Sequence, residues 1–215
     1  MKVTGCRALA SLGLALFATK TLGAASPSPA EQAQAATISV RTAETVAQMS
    51  VDEKLRMVMG IILAPMKGVT VPPHAVISVG LVQGVPRVGV PALTETDGPL
   101  GISYLQGVRK DGATPMPSAP AMASSWNPEL VYRIGEAIGS EAKAKGFNVL
   151  LAGGVNLIRD PRNGRTQEYF GEDPLLAGML VGNQIAGIQS NHVMSTIKHF
   201  AFNDQETGRG TLDVR

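Results

Sequence analysis

This sequence has few cysteines, no long apolar run and few clustered basic residues. Cys6 is the one cysteine among its 215 residues. Because Cys6 lies in an amino-terminal segment that we expect to be removed, the remaining chain would have neither disulfide nor thiol chemistry. No uncharged apolar run reaches the roughly 20 residues that a membrane-spanning helix requires. After residue 25 no run of lysine and arginine could neutralise a row of phosphates. We therefore expect neither a membrane span nor a nucleic-acid partner.

Familiar nucleotide, metal and hydrolase signatures are missing as well. The sequence contains no P-loop, no HExxH zinc pair, no GxSxG nucleophile elbow and no GxGxxG segment that opens a helix. The composition is nevertheless that of a globular protein, because 44% of the residues are apolar and 17% are charged. We therefore predict a folded protein with no cofactor and no metal ion.

The first 25 residues have the pattern of an export signal. Two basic residues precede the uncharged stretch Ala8–Ala18, and small residues then offer cleavage sites after Ala25 or Ala35. Residues 1–25 contain three of the 19 Lys and Arg residues and none of the 17 Asp and Glu residues, so their removal changes the formal net charge from +2 to −1. We predict a signal peptide over residues 1–25 and a periplasmic or secreted location.

Composition divides the rest of the chain into a short linker and one domain. Residues 26–37 are rich in Ala, Ser, Pro and Gln without apolar periodicity, which predicts a linker before a domain over residues 38–215. Ser50 and Glu53 form a capping-box pattern that predicts a helix over residues 51–63. Further helices are predicted over residues 127–146 and 173–189, each opened by a capping residue and a proline.

Short apolar runs predict strands over residues 90–94, 148–151 and 193–200. Strands and helices therefore alternate, which predicts an α/β fold with a mainly parallel sheet. In such folds the functional groups gather beyond the carboxyl ends of the strands. Three polar clusters lie at those ends: Asp97, the loop around Arg165, and Lys198 with His199.

Three polar segments resemble sequences of glycoside hydrolase family 3, the β-glucosidase-like family. They are TETDGPLGI at residues 94–102, NLIRDPRNGRTQEYFGEDPLLAG at residues 156–178 and STIKHFAFNDQETGR at residues 195–209. The resemblance covers residues 46–215, with the motifs in the family's order, and looks like its amino-terminal domain. It implies the amino-terminal portion of an incomplete TIM-type (β/α)8 barrel, because a complete barrel needs about 250 residues.

The resemblance also implies how the polar residues act on a β-linked oligosaccharide or glucoside. Asp97 would hold two hydroxyls of the terminal sugar, a task that suits a carboxylate accepting bidentate hydrogen bonds. Arg165 would grasp neighbouring hydroxyls or brace Asp97. Lys198 and His199 would donate to the same sugar. Adjacent residues of a regular strand point apart, so the backbone between these two is expected to leave strand geometry.

The catalytic residues that the family implies are not visible in this chain. Retaining hydrolysis uses an aspartate nucleophile and a glutamate acid, and both are expected beyond Arg215. The isolated chain is therefore expected to be inactive and to depend on a carboxyl-terminal part of the same enzyme. Arg159 and Arg162 are interpreted as loop-fixing ion-pair partners of one of the nearby carboxylates Glu168, Glu172 and Asp173.

Two departures from the family bear on the substrate. Ile102, Ser103 and Tyr104 occupy the stretch in which an arginine often follows the DGP segment, which leaves one sugar contact and the exact substrate open. The KHF segment continues as AFN at residues 201–203, which favours the glucosidase-like branch over the N-acetylhexosaminidase branch.

Two other functions fit parts of the sequence. A non-catalytic sugar-binding or orphan fragment would carry the same binding residues. Ser195 and Lys198 match the SxxK pattern of penicillin-binding enzymes, which would make the protein a serine acyl-enzyme. That chemistry needs both residues on one helical face, whereas in a predicted strand a spacing of three sends them to opposite faces.

Overall fold

The computed structural model describes residues 26–65, 68, 70–71, 75–104 and 109–213, so the predicted signal peptide and Cys6 lie outside the described residues. The helices are α1 (Pro29–Gln48), α2 (Val51–Met57), α3 (Ala119–Ala123), α4 (Pro128–Ala144) and α5 (Pro174–Gln189). The strands are β1 (Ile61–Leu63), β2 (Ser78–Val82), β3 (Leu93–Asp97), β4 (Val149–Leu151) and β5 (Met194–Ser195). No helix in these ranges combines the length and apolarity needed to cross a membrane.

Helix α1 lies where the sequence predicts a linker over residues 26–37. Two reciprocal hydrogen bonds start it: the Ser28 N–H donates to Glu31 Oε2 over 2.6 Å, and the Glu31 N–H donates to Ser28 Oγ over 3.3 Å. Pro29 then occupies the first helical position, where its missing N–H costs nothing. No residue of α1 is buried. The linker prediction is therefore wrong in secondary structure, because capping and the helix propensity of alanine favour a helix without burial.

The chain divides into two compact units, and the second comprises Gln48–Arg215. Near its start, the capping box predicted at Ser50 is confirmed by hydrogen bonds in both directions with Glu53. The Glu53 carboxylate also pairs with Arg87, whose hydrogen bonds hold the pKa of Glu53 at about 2. Helix α2 ends at Met57, so the predicted helix over residues 51–63 is too long. Gly60, a poor helix former, separates α2 from β1.

The strands form one sheet in the order β1-β2-β3-β4-β5. Strands β3, β4 and β5 are parallel, with Thr96 beside Leu150 and Leu150 beside Ser195. Strand β2 is antiparallel to both β1 and β3. The prediction of a mainly parallel sheet therefore holds for three strands only. Residues 83–92, which connect β2 to β3, are too few for the dozen or more residues of a parallel crossover.

Strand β3 lies three residues later than the predicted strand over residues 90–94. Val90 belongs to a turn instead, since its N–H donates to Val85 O over 3.2 Å. Gly89 in this turn has a φ of 75°, a left-handed conformation that glycine adopts without steric cost. The shift makes Asp97 the last residue of β3 itself.

Strand β5 is much shorter than the predicted strand over residues 193–200. Hydrogen bonds to the neighbouring chain nevertheless continue, because the Lys198 N–H donates to Gly153 O over 3.0 Å and the Val155 N–H donates to Lys198 O over 2.9 Å. The peptide bond between Lys198 and His199 is cis. Because β5 ends at Ser195, Lys198 and His199 lie outside the regular strand, as expected from the sequence.

Helices α4 and α5 confirm the predictions over residues 127–146 and 173–189. The side chains of Asn127 and Asp173 accept hydrogen bonds from the backbone three residues later, and a proline follows each cap. The two helices approach closely at glycines. A Cβ atom added to Gly187 would lie 2.1 Å from Tyr132 O, and one added to Gly135 would lie 2.2 Å from Gln184 O.

Two buried clusters hold the sheet and helices together. The first comprises Ile102, Ile138, Ala142, Phe147, Leu150, Ala152, Ile188 and Val193. The second comprises Ala119, Met122, Ala123, Val131, Phe170, Ala177, Leu180 and Val181. Because the second cluster joins three helices to Phe170, it fixes the long connection between β4 and α5 that carries Arg165.

The close helix packing predicts that Gly187→Ala destabilises the protein by about 1–3 kcal/mol, the usual cost of overpacking. The added Cβ meets the backbone of α4, which cannot rotate away. Gly182→Ala is a matched control in the same helix, because nothing lies within 4 Å of its added Cβ. That variant should be unchanged or more stable by up to about 1 kcal/mol. Urea unfolding of both variants measures the difference, and equal stabilities would contradict the packing argument.

Candidate functional site

Asp97 lies at the carboxyl edge of the parallel strands, in the last position of β3. The strand end is held by its return loop, because the Ser103 N–H donates to Asp97 O and Thr96 Oγ1 donates to Ser103 O, each over 2.9 Å. The following turn is tight, since a Cβ atom on Gly98 would lie 2.5 Å from Leu150 Cδ1. This arrangement leaves the Asp97 side chain 41% exposed.

Arg165 and Glu168 form a bidentate ion pair in the connection between β4 and α5. Arg165 Nε donates to Glu168 Oε1 over 2.6 Å, and Arg165 Nη2 donates to Glu168 Oε2 over 2.8 Å. The short 3-10 helix Thr166–Glu168 sets their spacing. A Cβ atom on Gly154 would lie 1.8 Å from Glu168 O, so glycine is required where the chain leaving β4 passes this turn.

The Lys198 ammonium group links these two sites. Its Nζ lies 2.8 Å from Asp97 Oδ1 and 3.5 Å from Glu168 Oε2. Asp97, Lys198, Glu168 and Arg165 therefore form one continuous chain of alternating charges. These four side chains line a cavity of about 490 Å³, which Gln167 and residues 99–103 and 113–115 complete. Three of the four predicted site residues thus meet in one cavity.

The two carboxylates of the cavity have different surroundings. The Glu168 side chain is 11% exposed, against 41% for Asp97. Burial alone would raise the pKa of Glu168, but hydrogen bonds from Arg165 and the charge of Lys198 outweigh burial and hold this pKa below its ordinary value of 4.5. At neutral pH Glu168 therefore stays ionised and remains paired with Arg165 and Lys198. Asp97 is the carboxylate that solvent, and hence a ligand, can reach.

His199, the fourth predicted residue, borders a different cavity of about 280 Å³. Its Nδ1 lies 2.8 Å from Tyr169 Oη, and Asn203 Nδ2 donates to the same Oη over 2.5 Å. Burial, followed by the positive charges of Arg165 and Lys198, lowers the pKa of His199 below its ordinary value of 6.5. The ring is therefore neutral at pH 7. With the Tyr169 hydroxyl donating to Nδ1, the ring carries its proton on Nε2 and can donate there.

The ion pairs of the long connection differ from those expected. Arg159 pairs with Asp204 over 3.9 Å and Arg162 with Asp160 over 2.7 Å, whereas Glu168 belongs to Arg165 and Lys198. Arg165 therefore braces Glu168, and it is Lys198 that pairs with Asp97. Glu168 was expected only as a possible partner of Arg159 or Arg162, and not as a residue of the site. Its spacing of three from Arg165, which suits an ion pair on one helical turn, could have identified it.

The SxxK pair is not arranged for acyl transfer. Ser195 Oγ donates to Ala152 O over 3.3 Å, while the Lys198 ammonium group is engaged by Asp97 and Glu168. A nucleophilic hydroxyl would need its base within hydrogen-bond reach. The geometry therefore gives the serine acyl-enzyme hypothesis no support.

A cavity with one accessible carboxylate and two enclosed cations suits a neutral polyol. A carboxylate accepts hydrogen bonds from adjacent hydroxyls, and ammonium and guanidinium groups donate to hydroxyl oxygens. Over the described ranges, no group of three or more His, Cys, Asp or Glu side chains is placed to hold a metal ion.

Comparison with known proteins adds a family assignment to this geometry. Residues 76–214 match the glycosyl hydrolase family 3 N terminal domain. The chain belongs to glycosyl hydrolase family 3. The matched residues include Asp97, Arg165, Lys198 and His199, and the match confirms the resemblance found in the three sequence segments.

Family 3 relatives match most of this chain but only a small part of themselves. Beta-glucosidase BoGH3A of Bacteroides ovatus is 39% identical over 188 residues, which cover 83% of this chain and 23% of that protein. The exo-alpha-(1->6)-L-arabinopyranosidase of Bifidobacterium longum is 41% identical over 141 residues, covering 62% of this chain and 19% of that protein. The chain thus spans about a fifth of the length of these family 3 relatives.

A solved family 3 structure confirms the fold class. Beta-glucosidase 3B from Thermotoga neapolitana in complex with glucose matches with a TM-score of 0.69 and 37% sequence identity, covering 77% of this chain and 24% of that chain. The family 3 amino-terminal domain is a TIM-type barrel. The described α/β sheet and its helices are therefore part of such a barrel.

The ion-pair chain predicts how stability depends on pH. Because the pKa of Glu168 is lowered on folding, its ionised form stabilises the protein above pH 4.5, and this contribution is lost as the pH falls through the folded value. Glu168→Gln should therefore lower the free energy of unfolding by about 1–3 kcal/mol at pH 7 and flatten its decline in acid.

Urea unfolding at a series of pH values from neutral to acid measures this effect. Glu129→Gln is the matched control, because Glu129 forms a pair on the helix surface with 74% of its side chain exposed. The control should keep the wild-type pH profile. A Glu168→Gln profile parallel to that of the wild type would refute the assignment. The lowered pKa of His199 acts in the same direction below pH 6.5. Glu129→Gln leaves this effect unchanged, whereas Glu168→Gln enlarges it by removing a carboxylate that raises the pKa of His199.

Proposed function

We propose that this chain supplies the terminal-sugar subsite of an exported glycosidase that hydrolyses terminal β-D-glucosyl or related residues. The observation that carries this proposal is the convergence of Asp97, Arg165 and Lys198 on one cavity at the carboxyl ends of the parallel strands. A volume of about 490 Å³ lies within the usual range of roughly 300–1,000 Å³ for small-molecule sites. Family membership and the similarity to a glucose-bound beta-glucosidase support the substrate class.

In this proposal Asp97 accepts hydrogen bonds from two sugar hydroxyls. Lys198 holds the Asp97 carboxylate in place and donates to the same ring. Arg165, fixed by Glu168, presents the remaining N–H groups of its guanidinium to a neighbouring hydroxyl. Since similar relatives are named as a glucosidase and an arabinopyranosidase, the hydroxyl pattern accepted by these groups selects among related pyranoses.

The proposed reaction is retaining hydrolysis. An aspartate attacks the anomeric carbon, a glutamate protonates the departing oxygen, and water then releases the sugar from the covalent intermediate. We propose that both residues come from beyond Arg215. Within this chain, Asp97 and Glu168 are assigned to binding and positioning, because Glu168 is already held by two cations.

The test is hydrolysis of 4-nitrophenyl β-D-glucopyranoside by the full-length enzyme and its variants. Asp97→Ala should lower kcat/KM by about a hundredfold or more, because each charge-assisted hydrogen bond contributes about 1.5–3 kcal/mol. Asp97→Asn should lie between Asp97→Ala and the wild type. Proton NMR of the first product should detect β-glucose, since retention preserves the anomeric configuration.

Arg162→Ala is the control from the same connection, because its side chain is 88% exposed and pairs only locally with Asp160. This variant should keep wild-type activity. Full activity of Asp97→Ala would exclude the subsite assignment. An enzyme that binds glucose through Asp97 yet releases none from the glucoside would favour the non-catalytic sugar-binding alternative.

We further propose that residues 1–25 direct the protein to the periplasm or the medium. The support is the sequence pattern alone: a basic start, an apolar stretch and small residues at the cleavage sites. Amino-terminal sequencing of the exported protein should begin after Ala25 or Ala35. A protein that stays in the cytoplasm with its amino terminus intact would contradict the proposal.

A further inference from the structure

Trp126 is the only tryptophan of the chain, and it is 73% exposed. It lies between α3 and α4, in the connection that follows β3. A tryptophan usually finds a largely buried position in a folded protein. Its exposure therefore calls for a physical reason.

The backbone of Trp126 has a left-handed conformation, which a bulky side chain rarely adopts. The Trp126 N–H donates to Ala123 O over 3.0 Å and closes the last turn after α3, with a φ of 51° at Trp126. Glycine is the favoured residue in this left-handed conformation at the end of a helix, and a bulky side chain is disfavoured. Residues kept in such conformations concentrate at functional sites. The turn alone would be served better by glycine.

Trp126 borders a cavity of about 340 Å³ that is separate from the one containing Asp97. Phe170 and Ala123 line its buried part, while Trp126 and Glu172 are exposed at its border. Asp173, also in the lining, is engaged as the cap of α5, since its Oδ1 accepts from the Leu176 N–H over 2.7 Å. Glu172 makes no hydrogen bond or ion pair with any residue that the structure describes, so its carboxylate can accept from a ligand.

This second cavity is built on the same two connections as the first. The connection after β3 supplies residues 99–103 to the first cavity and Trp126 to the second. The connection after β4 supplies Glu168 to the first and Phe170 to the second. The Cα atoms of Glu168 and Phe170 are at most about 7 Å apart, because two residues of extended chain span no more. Both cavities therefore lie near the carboxyl ends of β3 and β4.

We infer that Trp126 and Glu172 form a second carbohydrate-contacting site, which binds a pyranose ring of a β-linked oligosaccharide outside the catalytic subsite. The apolar C–H face of a pyranose packs on the indole ring, whose face carries partial negative charge. The Glu172 carboxylate accepts hydrogen bonds from the ring hydroxyls. The choice of ligand class rests on the proposed function, whereas the site itself rests on the exposed, left-handed tryptophan and its cavity.

Fluorescence of the 215-residue chain tests this inference directly, since every tryptophan photon comes from Trp126. Titration with cellotetraose should change the emission of Trp126 saturably. The same change should persist in Asp97→Ala, in which the first cavity has lost its accessible carboxylate. A response that disappears in Asp97→Ala would mean that Trp126 reports the first cavity, and would overturn the separate site.

Three variants separate ligand contact from a structural role, with affinity measured by calorimetry in the Asp97→Ala background. Trp126→Gly should weaken cellotetraose binding at least about tenfold while keeping or raising thermal stability, because glycine suits the left-handed backbone. Trp126→Phe, which retains a smaller ring, should bind with intermediate affinity. Glu172→Gln should weaken binding less than Trp126→Gly, and the control Glu129→Gln should leave it unchanged.

Unchanged affinity in Trp126→Gly would overturn the inference. An emission maximum that shifts to shorter wavelength with protein concentration, without any response to cellotetraose, would also overturn it and would assign Trp126 to a protein contact. These outcomes are distinct from failure of the proposed function. The proposed function fails when Asp97→Ala retains full activity on the aryl glucoside, whatever happens at Trp126.

Discussion

The Lys198 ammonium group lies between the carboxylates of Asp97 and Glu168, and the site depends on this position. Asp97 ends β3, Glu168 follows β4 and Lys198 follows β5, so one cation connects three successive parallel strands at their carboxyl edge. Without it, two carboxylates would share a partly enclosed cavity with Arg165, the one other cation among the described residues that line this cavity. Removing Lys198 is costly, because Asp97 loses its partner and the nearly buried Glu168 keeps Arg165 alone.

The two carboxylates have different roles: Glu168 positions the cations, and Asp97 is accessible to a ligand. Glu168 satisfies two cations at once, which fixes the plane of the Arg165 guanidinium and the position of the Lys198 ammonium group. Asp97 shares Lys198 but remains open to solvent. A ligand hydroxyl that approaches Asp97 therefore meets donors that are already oriented, and binding does not require the cations to reorganise.

Sequence patterns anticipated those parts of the structure that depend on local interactions. The caps at Ser50, Asn127 and Asp173 were predictable because each cap and its partner lie within three residues. The cap at Ser28 carries the same signal, with Glu31 three residues later, but the absence of apolar periodicity concealed it. The pairing of Lys198 with Glu168 was not predictable, since it depends on the register of β4 and β5. The antiparallel pairing of β2 with β3 likewise follows from the connection over residues 83–92, which is shorter than a parallel crossover.

Residues 168–170 link the site to the interior of the protein. Glu168 holds the two cations, Tyr169 is fully buried with its hydroxyl beside His199, and Phe170 is buried in the cluster formed with α3, α4 and α5. The burial of Phe170 therefore anchors the chain two residues from Glu168. Because α4 and α5 approach closely at glycines such as Gly187, helix packing also shapes the cluster that holds Phe170, two residues from Glu168.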